Sequence, residues 1–288
     1  MDITPTTESP LHAKVVNIDL KAELSPAERA QIEMALATYG VLSFPGQDLT
    51  AAQFKRFCEN FGELELNVAN SRHEPGMPEM MLLSNIIENG TPIGMADAGQ
   101  GWHTDLSYNK VIGYATILYG IEIPQRDGRT LGQTQFCNMQ AAYEDLPADI
   151  KAELQGMTVL HDFDKFWEMM RQKGSPRPPL SAEQRKARPP SSHPVFMQHP
   201  ISGEKVLYAN PGYAVRINEL SPADSDRMLD FLFKHQTQEK YKYSHAWSVG
   251  DVLMWDDIAT IHNAVADYLP TERRLLKRCQ VTASRFFN

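Results

Sequence analysis

The chain has 288 residues, 42% of them hydrophobic and 22% charged, with a formal net charge of −8. That make-up describes a globular protein with room for one large domain, and its scattered acids offer no basic surface to nucleic acid. No apolar run approaches the roughly 20 residues of a membrane span, and residues 1–10 are polar, unlike a signal peptide, so no membrane partner and a cytoplasmic location are expected.

Residues 15–20 (Val-Val-Asn-Ile-Asp-Leu) predict a short strand. Ser25, with Pro26 at the first helical position and Glu28 closing a capping box, predicts a helix whose apolar stripe is Ile32, Ala35, Leu36 and Tyr39 and whose end is Gly40. Val41 to Phe44 predicts a buried strand. Thr50 with Gln53 opens a second helix that turns Phe54, Phe57, Cys58 and Phe61 to the core. From residue 66 to 101 Asn, Gly, Pro and Met crowd together, with one strand-like piece at 80–85. A long irregular stretch is usually functional, and this one is read as a lid over a substrate.

The lid runs into Trp102-His103-Thr104-Asp105. Alternate side chains of an extended strand share a face, so His103 and Asp105 can converge on one ion. An imidazole and a carboxylate are two thirds of the facial triad that holds non-haem Fe(II) with positions left open. Further strands are predicted at 114–119 and 133–138, a turn-rich link at 124–132, and a helix from Pro147 to Gly156. Residues 163–194 are rich in Arg, Lys and Pro, notably Arg177-Pro178-Pro179 and Arg188-Pro189-Pro190. Prolines oppose regular ladders, so this reads as a basic surface excursion able to hold the lid or a neighbouring subunit. Strands at 195–197, 206–209 and 214–217 follow, then a helix from Ser221-Pro222 with Met228, Phe231, Leu232 and His235 inward, and strands at 241–245, 251–255 and 274–284. Cys58, Cys137 and Cys279 are odd in number and lack C-x-x-C spacing, which argues for inert buried thiols over a zinc site or disulfides.

Of the nine histidines, the eight besides His103 compete to complete the triad. His12 falls in the N-terminal tail and His73 in the lid; His161, His193 and His199 flank the excursion, His235 fits a helix stripe, and His245 an exposed strand. Each of these reads as structural or surface. His262 follows an apolar strand and the turn Asp256-Asp257, so a separate strand can bring it to the same ion. The expected fold is mainly β with flanking helices around a double-stranded β-helix (jelly-roll) core, in a single domain over 1–288.

Trp102-His103-Thr104-Asp105, Met254-Trp255-Asp256, His262 followed by Ala266-Asp267-Tyr268, and Arg273-Arg274 with Arg278 resemble the Fe(II)- and 2-oxoglutarate-dependent dioxygenases of the taurine and 2,4-dichlorophenoxyacetate group. The resemblance spans most of the chain. It implies that His103, Asp105 and His262 bind Fe(II), that Thr134 and Arg274 hold 2-oxoglutarate, and that Arg278 meets a small anionic substrate, a carboxylate, sulfonate or phosphonate. A guanidinium is suited to a carboxylate because it is always charged and bidentate. Arg273 is the alternative to Arg274, although strand alternation turns it to the other face. Tyr108 is either a wall of the substrate pocket or a core aromatic. Asn67 and Asn70 stand where the taurine enzymes carry a His and a Tyr, which disfavours taurine; with Gln100 they point to a neutral, hydrogen-bonding pocket.

The resemblance further implies use of O₂, conversion of 2-oxoglutarate to succinate and CO₂, and hydroxylation that cleaves a carbon–heteroatom bond when it falls beside one. A carboxylate at Asp105 disfavours a halogenase. Members of the group are commonly oligomers, so a homo-oligomer is expected. Two rivals use the same scaffold: a zinc-dependent hydrolase, which has no use for Thr134 and Arg274, and a non-catalytic jelly-roll binding protein, which has no use for the triad.

Overall fold

The computed structural model describes residues 1–6, 11–66, 72–175 and 177–287. Its largest sheet has eight strands in the order Asp2–Pro5, Ala13–Val16, Val41–Phe44, Val252–Asp256, Gly113–Glu122, Leu275–Thr282, Met77–Ser84 and His73–Glu74. Ala13–Val16 and Val41–Phe44 run parallel, and the other pairs antiparallel. A three-stranded sheet, Lys242–His245, Thr134–Asn138 and Thr260–Ala264, packs against it, and another joins Ser191–Pro194, Thr158–His161 and Ala214–Ile217.

Period-two alternation explains the layering. Val252, Met254, Leu42 and Phe44 belong to one apolar cluster with Ile32, Leu36, Phe54 and Phe57 of the helices Pro26–Tyr39 and Ala51–Glu59. Their neighbours Leu253, Trp255 and Val41 belong to another, with Phe136 of the three-stranded sheet. Cross-strand register pairs Val252 with Phe44 and Trp255 with Val41, so the central strands are covered on both faces and are buried throughout. The Phe136 ring meets Trp255 edge-on at 5.3 Å, fixing the spacing between the two sheets next to the His262 strand.

Both capping boxes form as expected: the Ser25 and Thr50 hydroxyls accept from the Glu28 and Gln53 backbone N–H groups, and Gly40 ends the first helix at φ +67. Several expectations need correction. The first predicted strand lies at Ala13–Val16, because Asn17 turns left-handed at φ +56 and ends it. Within the lid-like stretch, Met77–Ser84 is a full strand of the large sheet with Met80 in the core, so only the chain on either side can act as cover. The link at 124–132 contains a small hairpin, Gln125–Arg126 with Arg129–Thr130. In the helix Pro222–Gln236 the buried face is Ser225, Leu229, Leu232 and His235, leaving Phe231 exposed.

Residues 163–194 depart most from the sequence reading. They form the helices Phe163–Gln172 and Ala182–Ala187, and prolines do not prevent a ladder, since Ser191–Pro194 pairs with Thr158–His161. Phe166 and Met170 of the first helix are buried, so its inner face is part of the body of the protein. The basic character does tie this segment to the lid-like stretch, because Arg177 grips Asp97 through Nε at 3.1 Å and Nη2 at 2.9 Å.

Candidate active site

His103 and His262 are brought together by backbone pairing. His103 joins the Thr260–Ala264 strand as an isolated antiparallel bridge, with His103 N–H donating to His262 C=O at 3.0 Å and the reverse bond at 2.8 Å. Residues opposed in this way put their side chains on one face, and the two ring centroids lie 4.2 Å apart. The extended conformation expected for the whole motif stops there. Asp105 begins a turn, followed by Leu106 at φ +57, and the turn swings its carboxylate back to 3.6 Å from His103 Nε2 and 3.8 Å from His262 Nε2. One ligand atom from each of the three buried residues lies within 4.8 Å of the others.

Hydrogen bonding prepares each group for a cation. His103 Nδ1 donates to the Gly101 carbonyl at 2.7 Å, which leaves the Nε2 lone pair facing Asp105. Burial holds the His262 imidazole well below its usual pKa, with His103 and Arg278 adding to the effect and Asp105 opposing it, so His262 is neutral. Burial alone would raise the Asp105 carboxyl, but the Arg278 guanidinium beside it more than reverses this and keeps it ionised. Thr116 Oγ1 lies 3.1 Å from Asp105 Oδ2 and 2.7 Å from Asp257 Oδ2. A hydroxyl has one proton to give, so the two contacts are both satisfied when Asp257 is the neutral acid and donates to Thr116. Burial and the Asp105 charge do push the Asp257 carboxyl well up. Gly212 permits the close packing beside the site: a Cβ there would sit 2.6 Å from the His103 Cβ.

Behind His262 lies a small cavity of about 20 Å³ lined by Thr134, Arg274, Arg278, Leu118 and Trp255. Arg274 is 5% exposed, and among the described residues no carboxylate forms an ion pair with it; its guanidinium stands over the Tyr268 ring at 5.6 Å. Arg273, on the other face, pairs with Glu122 at the surface, so only Arg274 points inward. Trp247 Nε1 donates to Thr134 Oγ1 at 3.0 Å, which leaves the threonine proton available to an acceptor in the cavity. Gly132 makes room at φ +69, where a Cβ would lie 3.0 Å from Arg274 Nε. A buried, unpaired guanidinium beside a free hydroxyl donor suits a carboxylate.

The model of the Taurine catabolism dioxygenase TauD, TfdA family matches residues 2–280. The chain belongs to this family. It is similar to an alpha-ketoglutarate-dependent 2,4-dichlorophenoxyacetate dioxygenase of Burkholderia sp. (strain RASC), 34% identical over 283 residues that cover 94% of this chain and 91% of that one. It is also similar to the pentalenolactone F synthase of Streptomyces arenae, 30% identical over 285 residues, covering 96% and 94%. The crystal structure of a taurine dioxygenase from Burkholderia xenovorans superimposes with a TM-score of 0.79 at 30% identity, covering 98% of this chain and 89% of that one. As a member of the TauD, TfdA family the protein is an alpha-ketoglutarate-dependent dioxygenase.

In this dioxygenase the other side of the His103, Asp105 and His262 cluster opens into a cavity of about 430 Å³. Phe166 and Tyr213 form its wall next to the cluster, at 4.9 and 6.0 Å from the His103 ring. Tyr108 is buried and lines the cavity behind Tyr213. Arg278 reaches both cavities, lying 3.7 Å from Asp105 and donating to Met81 Sδ at 3.2 Å. Asn67 and Asn70 lie outside the described residues. Gln100 is not among the lining residues, and the polar lining is largely charged, with Glu65, Glu183, Arg177, Arg188 and Arg278, which corrects the neutral pocket expected from the sequence. Two histidines were also misplaced: His12 and His245 are buried, the first bonded to Ser43 at 2.8 Å and the second 3.3 Å from Asp251. Sequence reasoning missed Trp247, Thr116, Asp257, Phe166 and Arg188. Only Phe166 carried a local signal, the helical spacing Phe163, Phe166, Met170.

Proposed function

We propose that this protein uses Fe(II), 2-oxoglutarate and O₂ to hydroxylate a small anionic organic substrate, releasing succinate and CO₂, within a double-stranded β-helix (jelly-roll) core. The observation that carries the proposal is the buried convergence of His103, Asp105 and His262 beside an unpaired buried guanidinium. The donor set fits Fe(II): two imidazoles and one carboxylate on one side of a site, with the other side open. The small cavity fits the distal carboxylate of 2-oxoglutarate, which Arg274 and Thr134 would hold.

When bound, iron and 2-oxoglutarate supply the oxidising power for attack on an unactivated C–H bond. The rest is done by the chain. His103 is fixed in one tautomer by Gly101, Asp105 is kept ionised by Arg278 and steadied by Thr116, and Arg274 neutralises the co-substrate's charge away from water. Phe166, Tyr213 and Tyr108 exclude water from the substrate side and shape an apolar wall, while the Arg278 guanidinium in the same cavity offers an anionic group a partner. Hydroxylation beside a heteroatom would cleave that bond.

Under anaerobic conditions, Fe(II) with 2-oxoglutarate should produce a weak visible absorption band in the wild type and none in His262→Ala, whose far-UV circular dichroism stays native. A zinc-dependent hydrolase or an inert binding protein would remain colourless in both. A colourless wild type that nonetheless binds zinc tightly would sink the proposal in favour of the hydrolase.

A further inference from the structure

We infer that Asn210 is a positioning residue for the metal site: its amide locks the turn that carries Asp105 to the loop that carries Tyr213, so that one ligand and the aromatic wall of the substrate cavity are held as a unit. The inference rests on the reading of His103, Asp105 and His262 as metal ligands and deepens it.

Asp105 is the ligand that needs such an anchor. His103 and His262 are set by two backbone bonds between their own residues, at 3.0 and 2.8 Å. Asp105 has left the strand. It opens a turn whose next residue, Leu106, is left-handed at φ +57, a conformation that a leucine keeps only where its surroundings over-determine it. Thr116 reaches the carboxylate itself, but a contact at the side-chain tip leaves the backbone beneath it to be fixed by other bonds. One of these lies two residues on, at the fully buried Ser107. Its hydroxyl donates to the Thr104 carbonyl at 3.3 Å and accepts from Asn210 Nδ2 at 3.0 Å.

The other end of the Asn210 amide faces the substrate side. Its Oδ1 accepts from the Tyr213 backbone N–H at 3.0 Å, and the Ala214 N–H donates to the Asn210 carbonyl at 3.0 Å, closing the loop. The Tyr213 carbonyl in turn accepts from the Asp162 N–H at 2.9 Å, at the start of the helix that carries Phe166. Tyr213 and Phe166 are the aromatic rings packed beside His103 on the cavity side. A single buried amide, 2% exposed, therefore refers both wall rings to the Asp105 turn. The chemistry calls for an amide: the Ser107 proton goes to Thr104, so Asn210 must bring a donor to that hydroxyl, and the Tyr213 N–H needs an acceptor. Packing alone would call for neither, and an apolar side chain of similar size would leave the Tyr213 N–H buried and unbonded.

The test uses the full-length protein with 2-oxoglutarate and with Mn(II) as the probe metal, titrated by calorimetry. Asn210→Leu should bind Mn(II) about tenfold or more weakly than the wild type, the usual cost of removing a group that orients a metal ligand. Its Tyr213 amide should exchange with solvent deuterium about five- to tenfold faster, in line with one lost neutral hydrogen bond. Ser107→Ala should lose a similar share of the Mn(II) affinity and keep the slow Tyr213 amide. In the Ser107→Ala background, Asn210→Leu should cost less than about twofold in further Mn(II) affinity, because the link is already broken. Unchanged Mn(II) affinity in either single variant, or an Asn210→Leu effect of the same size in both backgrounds, overturns the inference. A residue that only supports the fold would lower the melting temperature and leave the metal affinity of the folded protein alone. If Asn210→Leu does not fold, the smaller Ser107→Ala change decides: weakened Mn(II) binding supports the link, and unchanged binding overturns it. His262→Ala separates the two readings. If it binds Mn(II) as the wild type does, the metal-ligand reading fails and the inference with it; if it loses the metal while Asn210→Leu and Ser107→Ala keep it, only the assignment of Asn210 fails.

Discussion

At the scale of single residues, the site is marked by groups that are uncomfortable without a ligand. Burial draws the Arg274 guanidinium below its ordinary pKa, with Tyr268 and Asp267 opposing, and no carboxylate among the described residues pairs with it. A buried charge without a partner is a cost in the free protein, so removing it should not weaken the fold. Arg274→Met is expected to unfold at the same temperature as the wild type or higher, yet to lose the thermal upshift that 2-oxoglutarate gives the metal-loaded protein. A large fall in melting temperature would instead mark Arg274 as a structural ion-pair residue. Trp247 acts one step back. Trp247→Phe keeps an aromatic ring but deletes the donor to Thr134, freeing the threonine hydroxyl to rotate away from the cavity. The expected result is a KM for 2-oxoglutarate raised about five- to tenfold, in line with the loss of one neutral hydrogen bond, with the substrate KM unchanged. Equal changes in both constants would show that the tryptophan merely packs.

At the scale of elements, legibility followed the range of the signal. Helix ends were readable because a capping box is written within four residues, as at Ser25 and Glu28 or Thr50 and Gln53. The meeting of His103, Asp105 and His262 was readable because they belong to strongly patterned segments and to a motif with a known counterpart. Trp247, Thr116 and Asp257 were not, since each acts through a partner more than ten residues away, 113 residues in the case of Trp247 and Thr134. The segment 163–194 was misread for a different reason: the prolines at 178–190 coloured the reading of residues 163–172, which contain none and carry a clean helical stripe capped by Asp162. That helix is held over the cavity by the Arg177–Asp97 clamp, whose side chains are only 10% and 23% exposed. Burial would raise the Asp97 carboxyl, but hydrogen bonds from Arg177 and Ser175 more than offset this and lower it. A carboxylate whose pKa is lower folded than unfolded stabilises the protein above its unfolded pKa of about 4, and that contribution is lost as pH falls through the folded value. A double-mutant cycle with Asp97→Asn and Arg177→Met, followed by urea unfolding, should give a coupling of about 1–2 kcal/mol at pH 7 that shrinks as the pH is lowered below the unfolded value of about 4. Coupling near zero at pH 7 would detach the helix from the lid-like stretch.

At the scale of the whole molecule, the same burial that prepares His262 for a metal makes the fold sensitive to acid. Four histidines are held below their usual pKa, chiefly by burial: His12 at about 4, His161 at about 3, and His193 and His262 in the same direction. On unfolding below pH 6.5 each takes up a proton that the native state refuses, so each subtracts stability as pH falls from its unfolded pKa toward its folded one. His199 works the other way. Burial alone would lower it, but Asp256 at 2.8 Å more than compensates and raises it, so its contribution is present below pH 6.5 and lost as pH rises through the folded value. Near pH 5 His199 is charged in both states and drops out. His12 and His161 together take up nearly two protons on unfolding, His193 and His262 add in the same direction while the buried Asp257 acid opposes, and each proton is worth about 1.4 kcal/mol per pH unit. Urea-derived stability of the metal-free protein should therefore be nearly level above pH 7 and fall by roughly 2 kcal/mol per pH unit between pH 6 and 5. His161 offers the control, because both its ring nitrogens are buried with no side-chain partner, so a leucine of similar size removes the proton uptake without breaking a side-chain bond. His161→Leu should keep the stability of the wild type at pH 7.5 to within about 1 kcal/mol and lessen the acid slope by about one proton's worth. A wild-type profile that stays flat from pH 7 to 5 would mean that these histidines are solvated in the native state, and with them the dry, neutral His262 on which metal binding depends would be in question.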